Sequence, residues 1–346
     1  MNELAARWRA LKDASPELRI RDAAAKLAVS ELELVATTVG VTARWLDGDM
    51  AALLHGLTGV GRCMALTRGE HAVSEVRGRY GGVELGPHAG QVVGEHIDLR
   101  VFLSQWKFAL ALDEHDPRHD TRRRSLQVFD GSGTAVHKIY LEPEGDLDAW
   151  TALIDHHLAP SPPALTLAAA PPKPPARPDA DVDADALRAG WDAMTDTHEF
   201  FHLLRKHEVT RTQALRLAGS ARARRVTDDA LARVLGDASE TAMGIMIFVG
   251  NRGCLQVFSG AVARVKRMGP WMNVLDPGFN LHLREDRIAS SWVVHKPTRS
   301  GVVRSLELYD ADGETIALVF RKRDDRDLAE DPDWSALLGG LTEARS

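Results

Sequence analysis

The sequence predicts an α+β protein made of two similar units, each a large antiparallel β-sheet flanked by helices. Three observations predict it. Alternating apolar and polar stretches are joined by hairpin-length connections, which implies antiparallel strands. Short helical runs are introduced by capping residues. The same landmarks then return about 180 residues further on.

Each unit opens with two short helices. In Lys26-Leu-Ala-Val-Ser30-Glu-Leu-Glu33 a serine stands three residues before a glutamate at the head of a helical run, the pattern of a capping box. Lys206-His-Glu-Val-Thr210-Arg-Thr-Gln213 repeats the pattern 180 positions later with a threonine and an amide. At the same spacing, Ser125-LQVFDGSG and Ser305-LELYDADG are alternating strands that end in an Asp/Gly turn. Arg68-Gly69 parallels Arg252-Gly253, and Trp150-TALI parallels Trp334-SALL, so each unit closes on a Trp-bearing helix. In the second unit the expected strands are MGIMIFVG, CLQVFSGAV, WMNVL, FNLHLR, ASSWVVHK, RSLELYD and TIALVFR. The duplication spans roughly 20–158 and 187–341.

Between the copies, Pro160 to Pro178 holds eight of the sixteen prolines. Proline at that density cannot donate to helix or sheet ladders, which predicts a stiff, extended tether. The expected organisation is a first unit at 1–158, a linker at 159–186 and a second unit at 187–346. Two sheets joined by a tether leave a cleft, a favoured place for a ligand.

Composition narrows the function. The chain has 346 residues, with 44% apolar and 27% charged side chains, enough for two packed cores. Its net charge of −6 argues against wholesale binding of a phosphate backbone. Cys63 and Cys254 are too few for a disulfide framework, and neither sits in a CxxC. No apolar run approaches the ~20 residues of a membrane span. Met1 is not followed by a basic-then-apolar leader, so a cytoplasmic, reducing location without membrane insertion is expected.

Two motifs suggest other activities. His198-Glu-Phe-Phe-His202 matches HExxH, in which two histidines on one helix face hold zinc and the glutamate acts as base. Asp196, however, is a good N-cap that places Glu199 where a capping glutamate belongs. Arg205 and Glu208 occupy positions where a metzincin requires Gly and His. The zinc protease is therefore a minor alternative. Arg21-DAAAKLAVSELELVATTV has helix-turn-helix spacing, but its second helix begins with Glu31 and Glu33, which a polyanion repels. The second copy, with Arg211, Arg216, Arg222, Arg224 and Arg225, is better charged. A helix pair packed on its sheet explains the first copy, and no nucleic-acid partner is expected.

The residues around His198 fit another chemistry. His198-EFF-HLLRKH-EVT-Arg211, Asn251-Arg-Gly-Cys254, Trp271-MNVLDPGFNLHLR, His295-Lys-Pro-Thr and Phe320-Arg-Lys-Arg323 bring together imidazoles, cations and flat aromatics. Asp98-Leu-Arg100-Val-Phe102 adds a further arginine and ring from the first unit. That combination suits a large planar dianion containing a metal, which is haem. Imidazole takes the iron, cations meet the propionates, and phenylalanine covers the porphyrin.

At these blocks the sequence resembles the HemS/HmuS family of cytoplasmic haemin transport and haemin-degrading proteins of bacterial haem uptake. The resemblance covers the chain outside the tether. It implies haem b as ligand, with His198 of D-x-H-x-F-F as axial ligand to the iron. It further implies that Arg100 reaches the opposite haem face with Phe102 beside it, and that Arg211 and Lys296 approach the propionates. Phe248 and Phe320 would line the pocket, and Arg323 would close it. Some relatives carry a tyrosine where this chain has Phe320 and a polar amide where it has Leu318. A haem touching both His198 and Arg100 would bridge the two units. Partners implied are an inner-membrane haem transporter and a haem oxygenase or reductase. Two functions stay open: a carrier that hands haem on, and an enzyme that opens the porphyrin with oxygen and an external electron donor. His202 as alternate ligand, His207 at a helix C-terminus, and Cys254 as either a buried small residue or a thiolate also stay open.

Overall fold

Period-two apolar patterns become strands and capped runs become helices in both copies. A computed structural model describes residues 2–116, 120–169, 176–322 and 331–344. One compact unit comprises Met1–Arg68, Ser74–Pro171 and Gly250–Gln256; the other comprises Gly69–Val73, Pro172–Val249 and Val257–Ser346. A boundary drawn at the tether alone does not contain the two short segments, 69–73 and 250–256, that belong to the opposite unit.

The helices of the first unit are α1 (Asn2–Ala14), α2 (Ile20–Leu27), α3 (Glu31–Ala36), α4 (Met50–Leu57) and α5 (Leu147–His156). Its strands are β1 (Ala43–Trp45), β2 (Gly61–Arg68), β3 (Ala72–Arg79), β4 (Gly82–Leu85), β5 (Gly90–Val93), β6 (Asp98–Val101), β7 (Phe108–Asp116), β8 (Thr121–Phe129) and β9 (Ala135–Gly145). They run in the order β1-β7-β8-β9-β2-β3, with β4, β5 and β6 as an antiparallel ribbon.

In the second unit the helices are α6 (Ala184–Asp192), α7 (Glu199–Lys206), α8 (Arg211–Ala218), α9 (Ala230–Glu240) and α10 (Pro332–Gly339). The strands are β10 (Ala223–Val226), β11 (Ile245–Gly250), β12 (Cys254–Gly260), β13 (Val265–Met268), β14 (Trp271–Leu275), β15 (Phe279–Arg284), β16 (Ser290–Thr298), β17 (Gly301–Tyr309) and β18 (Thr315–Arg321). Their order is β10-β16-β17-β18-β11-β12, with β13-β14-β15 as the ribbon. All seven expected strands form. Two more, β10 and β13, were hidden by their arginines and lysine; β10 still buries Ala223 and Val226.

Strand register tests the duplication. Ser125 lies opposite Tyr140 and Ser305 opposite Phe320, so β8–β9 and β17–β18 superpose at a shift of 180. Leu66 lies opposite Lys138 and Phe248 opposite Leu318, which sets the shift of β2 onto β11 at 182. Arg68 therefore corresponds to Gly250. The parallel between Arg68-Gly69 and Arg252-Gly253 is out of register by two, because Arg252 lies in the turn after β11.

Matching turns lock each sheet to a helix start. Asp130 Oδ1 accepts from the Ser132 and Thr134 N–H groups, and Asp310 Oδ1 accepts from Asp312 and Glu314. The turns end at Gly133 (φ +80) and Gly313 (φ +74), where a Cβ would meet Ser30 Oγ at 2.5 Å and Thr212 Oγ1 at 2.8 Å. Only glycine fits there, both for the left-handed backbone and for the close approach. Ser30 and Glu33 form the full capping box. Thr210 caps Gln213 N–H, but the Gln213 amide donates to Arg177 O and Asp179 Oδ1, so the second copy is only half a box.

The described ends of the tether are docked on their own units. Ala159 and Ala168 N–H groups bond to Trp45 O and Gly131 O, and Leu167 packs on the cluster containing Trp45 and Phe129. On the other side Asp179 receives Arg216 and Gln213. Proline density alone overstated how much of 159–186 is a spacer, because Leu167 has a core to bury in.

At the first residue of α3, the Glu31 carboxylate pairs with Lys138 of β9, the two side chains being 6% and 7% exposed. Burial alone raises the Glu31 pKa, but Lys138 outweighs it and holds the carboxyl below its ordinary value. Removing one member of such a pair strands the other charge. Glu31→Gln or Lys138→Met alone is expected to cost about 3–5 kcal/mol. The double variant is expected to cost clearly less than the sum, measured by urea unfolding; additive losses would show that the pair is not coupled.

Candidate functional site

The segment before α7 is built around Asp196. Its Oδ1 accepts from the His198 backbone N–H at 2.8 Å and from the His198 ring Nδ1 at 2.6 Å. The backbone bond first, then the ring bond, holds the Asp196 carboxyl below its ordinary value. A ring that donates from Nδ1 turns its Nε2 lone pair away from the helix. The side chain of His198 is 93% exposed, and among the described residues its Nε2 has no partner. A carboxylate behind Nδ1 with a free Nε2 in front is the arrangement of an oriented metal-ligating imidazole.

The helix start differs from expectation by two residues. α7 begins at Glu199, with His198 as N-cap, and Glu199 reaches back to the Thr195 N–H at 2.9 Å and to the Thr195 hydroxyl at 3.0 Å. The glutamate of HEFFH is thus a capping residue. α7 buries Phe200 and Leu203, with the Phe200 ring 4.8 Å from Trp191, and turns Phe201, His202 and Arg205 outward. Phe201 is 62% exposed, an apolar ring 6.0 Å from the His202 imidazole.

Behind α7 lies a charge cluster that sequence reasoning reached only in part. Glu307 of β17 is fully buried. It accepts from Arg211 Nε at 3.1 Å, from the Lys296 ammonium, from the Ser305 hydroxyl at 3.1 Å and from the Tyr309 hydroxyl. Arg211 and Lys296 lie 5.1 and 4.6 Å from the centre of the Phe200 ring, a double cation–π contact. Burial works against the Glu307 charge, but the two cations hold the carboxyl far below its ordinary value. Burial brings Lys296 down to about 8. The Lys296 side chain is 3% exposed, so its expected approach to a propionate would first require leaving Glu307. Arg211, 29% exposed, keeps an open edge. Glu307 and Tyr309 were missed; the signal was a glutamate at a core-facing position of the alternation in SLELY.

Phe248 and Phe320 meet edge to face at 5.1 Å on neighbouring strands, half-buried. Arg100 belongs to the first unit and pairs with Asp98 of its own motif. Phe102 follows β6 directly and donates its N–H to Gly253 O at 3.0 Å. Arg323 lies outside the described residues. His207 is the C-cap of α7. Cys254 is fully buried, 3.5 Å from the Thr67 hydroxyl, and burial pushes its thiol up to about 12, the surroundings of a small packed residue in a strand. The second-copy arginines are engaged within the unit: Arg216 with Asp179, Arg222 with Asp192, Arg224 with Leu338 O and Leu341 O.

The second copy of a duplicated α+β scaffold here carries a carboxylate-backed imidazole, two cations gathered on a buried glutamate and a pair of phenylalanines, groups of the kind that suit a tetrapyrrole-binding class of protein. The comparisons with known proteins identify the family. A family model described as the haemin-degrading HemS.ChuX domain matches twice, at 28–157 and 208–341, so the chain belongs to the HemS family. The hemin transport protein HmuS of Yersinia pestis is 42% identical over 304 residues, covering 88% of this chain and 87% of the relative. Among solved structures, holo-PhuS, a heme-binding protein from Pseudomonas aeruginosa, matches at a TM-score of 0.95 with 44% identity, covering 99% of each chain. ChuS, described as an E. coli heme oxygenase, matches at 0.87 with 36% identity, again covering 99% of each.

The two readings of HEFFH separate on metal content. The purified protein is expected to hold far less than one zinc per chain, and Glu199→Gln is expected to leave haemin affinity within about twofold, since capping effects are local. One tightly bound zinc by elemental analysis would restore the protease. For the buried cluster, Glu307→Gln is expected to cost about 3–5 kcal/mol at pH 7 by stranding two cations. A depressed carboxyl stabilises the fold above its unfolded value and loses that contribution as pH falls, so stability is expected to drop below about 4.5, less steeply in Glu307→Gln. Equal acid slopes for both proteins in urea unfolding would remove Glu307 from this role.

Proposed function

We propose that this chain is a haem-binding protein of bacterial haem uptake, which takes one haem per chain on His198 and passes it on for iron use. The observation that carries the reading is the His198 ring, held by Asp196 through Nδ1 and open at Nε2. Bound haem supplies the iron that this nitrogen ligates. The protein's own groups set the rest: Asp196 fixes the ring tautomer and raises its basicity, Arg211 offers a guanidinium edge to a propionate, and Phe248 and Phe320 cover porphyrin surface. Lys296 acts through Glu307, which keeps Arg211 and α7 in place. Arg100 and Phe102 are assigned to the opposite haem face, and Arg323 to closure. Among the described residues no helix is long and apolar enough to cross a membrane. A cytoplasmic location, delivery by an inner-membrane transporter and hand-over to an oxygenase or reductase belong to the same proposal.

A second reading, oxygen-dependent opening of the porphyrin by the chain itself, is favoured by the similarity to ChuS. Product analysis separates the two. Haem-loaded protein supplied with a reductase should yield a ring-opened product that survives catalase if the chain is an enzyme, and no such product if it is a carrier.

Haemin titration is expected to give one site per chain with a sharp Soret band. His198→Ala should shift that band and weaken binding at least ~10-fold, as expected for loss of an axial bond. Arg100→Ala should keep the axial spectrum but raise the haem off-rate. Two equivalent haems per chain, or an unchanged spectrum in His198→Ala, would overturn the assignment.

A further inference from the structure

The first unit has a site of its own on the duplicated face. An open cavity of about 970 Å³ is lined there by Met64, Leu66, Arg68, Gln127, Lys138 and Tyr140, and by the residues that start α2. That volume lies at the upper end of the ~300–1,000 Å³ typical of ligand sites. The strand registers place Met64 and Leu66 at the positions of Met246 and Phe248. Gln127, Lys138 and Tyr140 occupy those of Glu307, Leu318 and Phe320. Leu18, also in the lining, stands 180 positions before His198. The cavity thus repeats the face that carries the haem residues in the second unit, with a leucine where the axial imidazole would be and no histidine or cysteine in its lining.

Its polar groups call for a specific chemistry. The lining holds seven basic and four acidic side chains; Lys138, Arg122, Arg123 and Arg124 are paired with Glu31, Asp113 and Glu114, and the anion preference rests on Arg68 with Arg19 near it. Among the described residues the largely sunken Arg68 guanidinium has no hydrogen bond or ion pair, and the carboxylate that acts on it, Glu31, is already engaged by Lys138. Arg19 and Arg21 add like charge beside it. Gln127 is 5% exposed; its amide nitrogen donates to Ser125 Oγ at 3.1 Å, while its buried Oε1 has no partner among the described residues. An orphaned buried acceptor asks for an N–H or O–H donor. Met64, Leu66 and the Tyr140 ring supply apolar surface. The occupant should be flat, carry carboxylates, expose an N–H at its edge and need no metal ligand. A closed porphyrin turns its N–H groups inward, whereas a ring-opened tetrapyrrole exposes them.

We propose that the first-unit cavity binds a metal-free, ring-opened tetrapyrrole dicarboxylate, with Arg68 on a propionate and Gln127 Oε1 accepting from an edge N–H. The choice of tetrapyrrole rests on the haem reading of the second unit; the cavity and its polar groups do not.

The test is titration of the full-length His198→Ala protein with biliverdin, followed by absorbance, alongside wild type. One saturable site is expected in both. Arg68→Met should weaken it ~10–100-fold and Gln127→Leu ~5-fold, as expected for a charge-assisted and a neutral hydrogen bond. Arg68→Lys should retain most of the affinity, which separates charge from folding. None of the three should change the wild-type haemin Soret band. Biliverdin binding that vanishes in His198→Ala, or that ignores Arg68→Met and Gln127→Leu, overturns the proposal. So does haemin binding His198→Ala more tightly than biliverdin in an Arg68-dependent way. Failure of the haem reading appears separately, as a wild-type Soret band indifferent to His198→Ala.

Discussion

Glu307 is the charge on which the second unit depends. It sits on a central strand, out of water, and is kept ionised only because Arg211 from α8 and Lys296 from β16 converge on it. Phe200 lies across both cations, so α7 is joined to the same cluster through its buried face. An ion in a low-dielectric interior tolerates little displacement of its partners, because its desolvation cost is offset only at close range. The cluster therefore fixes α7 and α8 against the sheet, and with them the place where His198 leaves the protein surface.

The division of labour along α7 follows. Its inner face, Phe200 and Leu203, is structural; its first turn and outer face carry His198, Phe201, His202 and Arg205. The charged residues deepest in this region serve as supports, while the side chain of His198, the proposed ligand to haem, is almost fully exposed. A ligand that must be acquired and released is better served by an exposed imidazole than by an enclosed one, since exchange requires access.

Duplication lets the same scaffold hold two different arrangements of buried charge. The helix start that carries Arg211 in one copy carries Glu31 in the other, and the strand position of Glu307 is taken by Gln127. In the first unit the buried pair is made instead between Glu31 and Lys138, the counterpart of Leu318. Charge has been inverted at the helix and moved by one strand. The Asp-x-x-Gly turns and their clamps on the helix starts, which depend on backbone geometry and not on charge, are unchanged.

Much of this was legible in the sequence, for physical reasons. Alternation marks strands, a Ser or Thr three residues before Glu or Gln marks a helix start, and a repeat of both at one spacing marks duplication. His198, Arg211, Phe248 and Phe320 stand out in the sequence as candidates because their blocks are long and chemically unusual. Other features belong to tertiary structure alone. The two-residue slip of β2 against the Arg-Gly landmark is set by strand pairing, and the strands β10 and β13 form because neighbours satisfy them despite their charges. Docking of the tether required a nearby core for Leu167. The roles of Lys296 and Glu307 were decided by burial: a lysine and a glutamate eleven residues apart look like surface charges in a sequence, and only the folding of β16 onto β17 takes both from water and makes each the condition for the other.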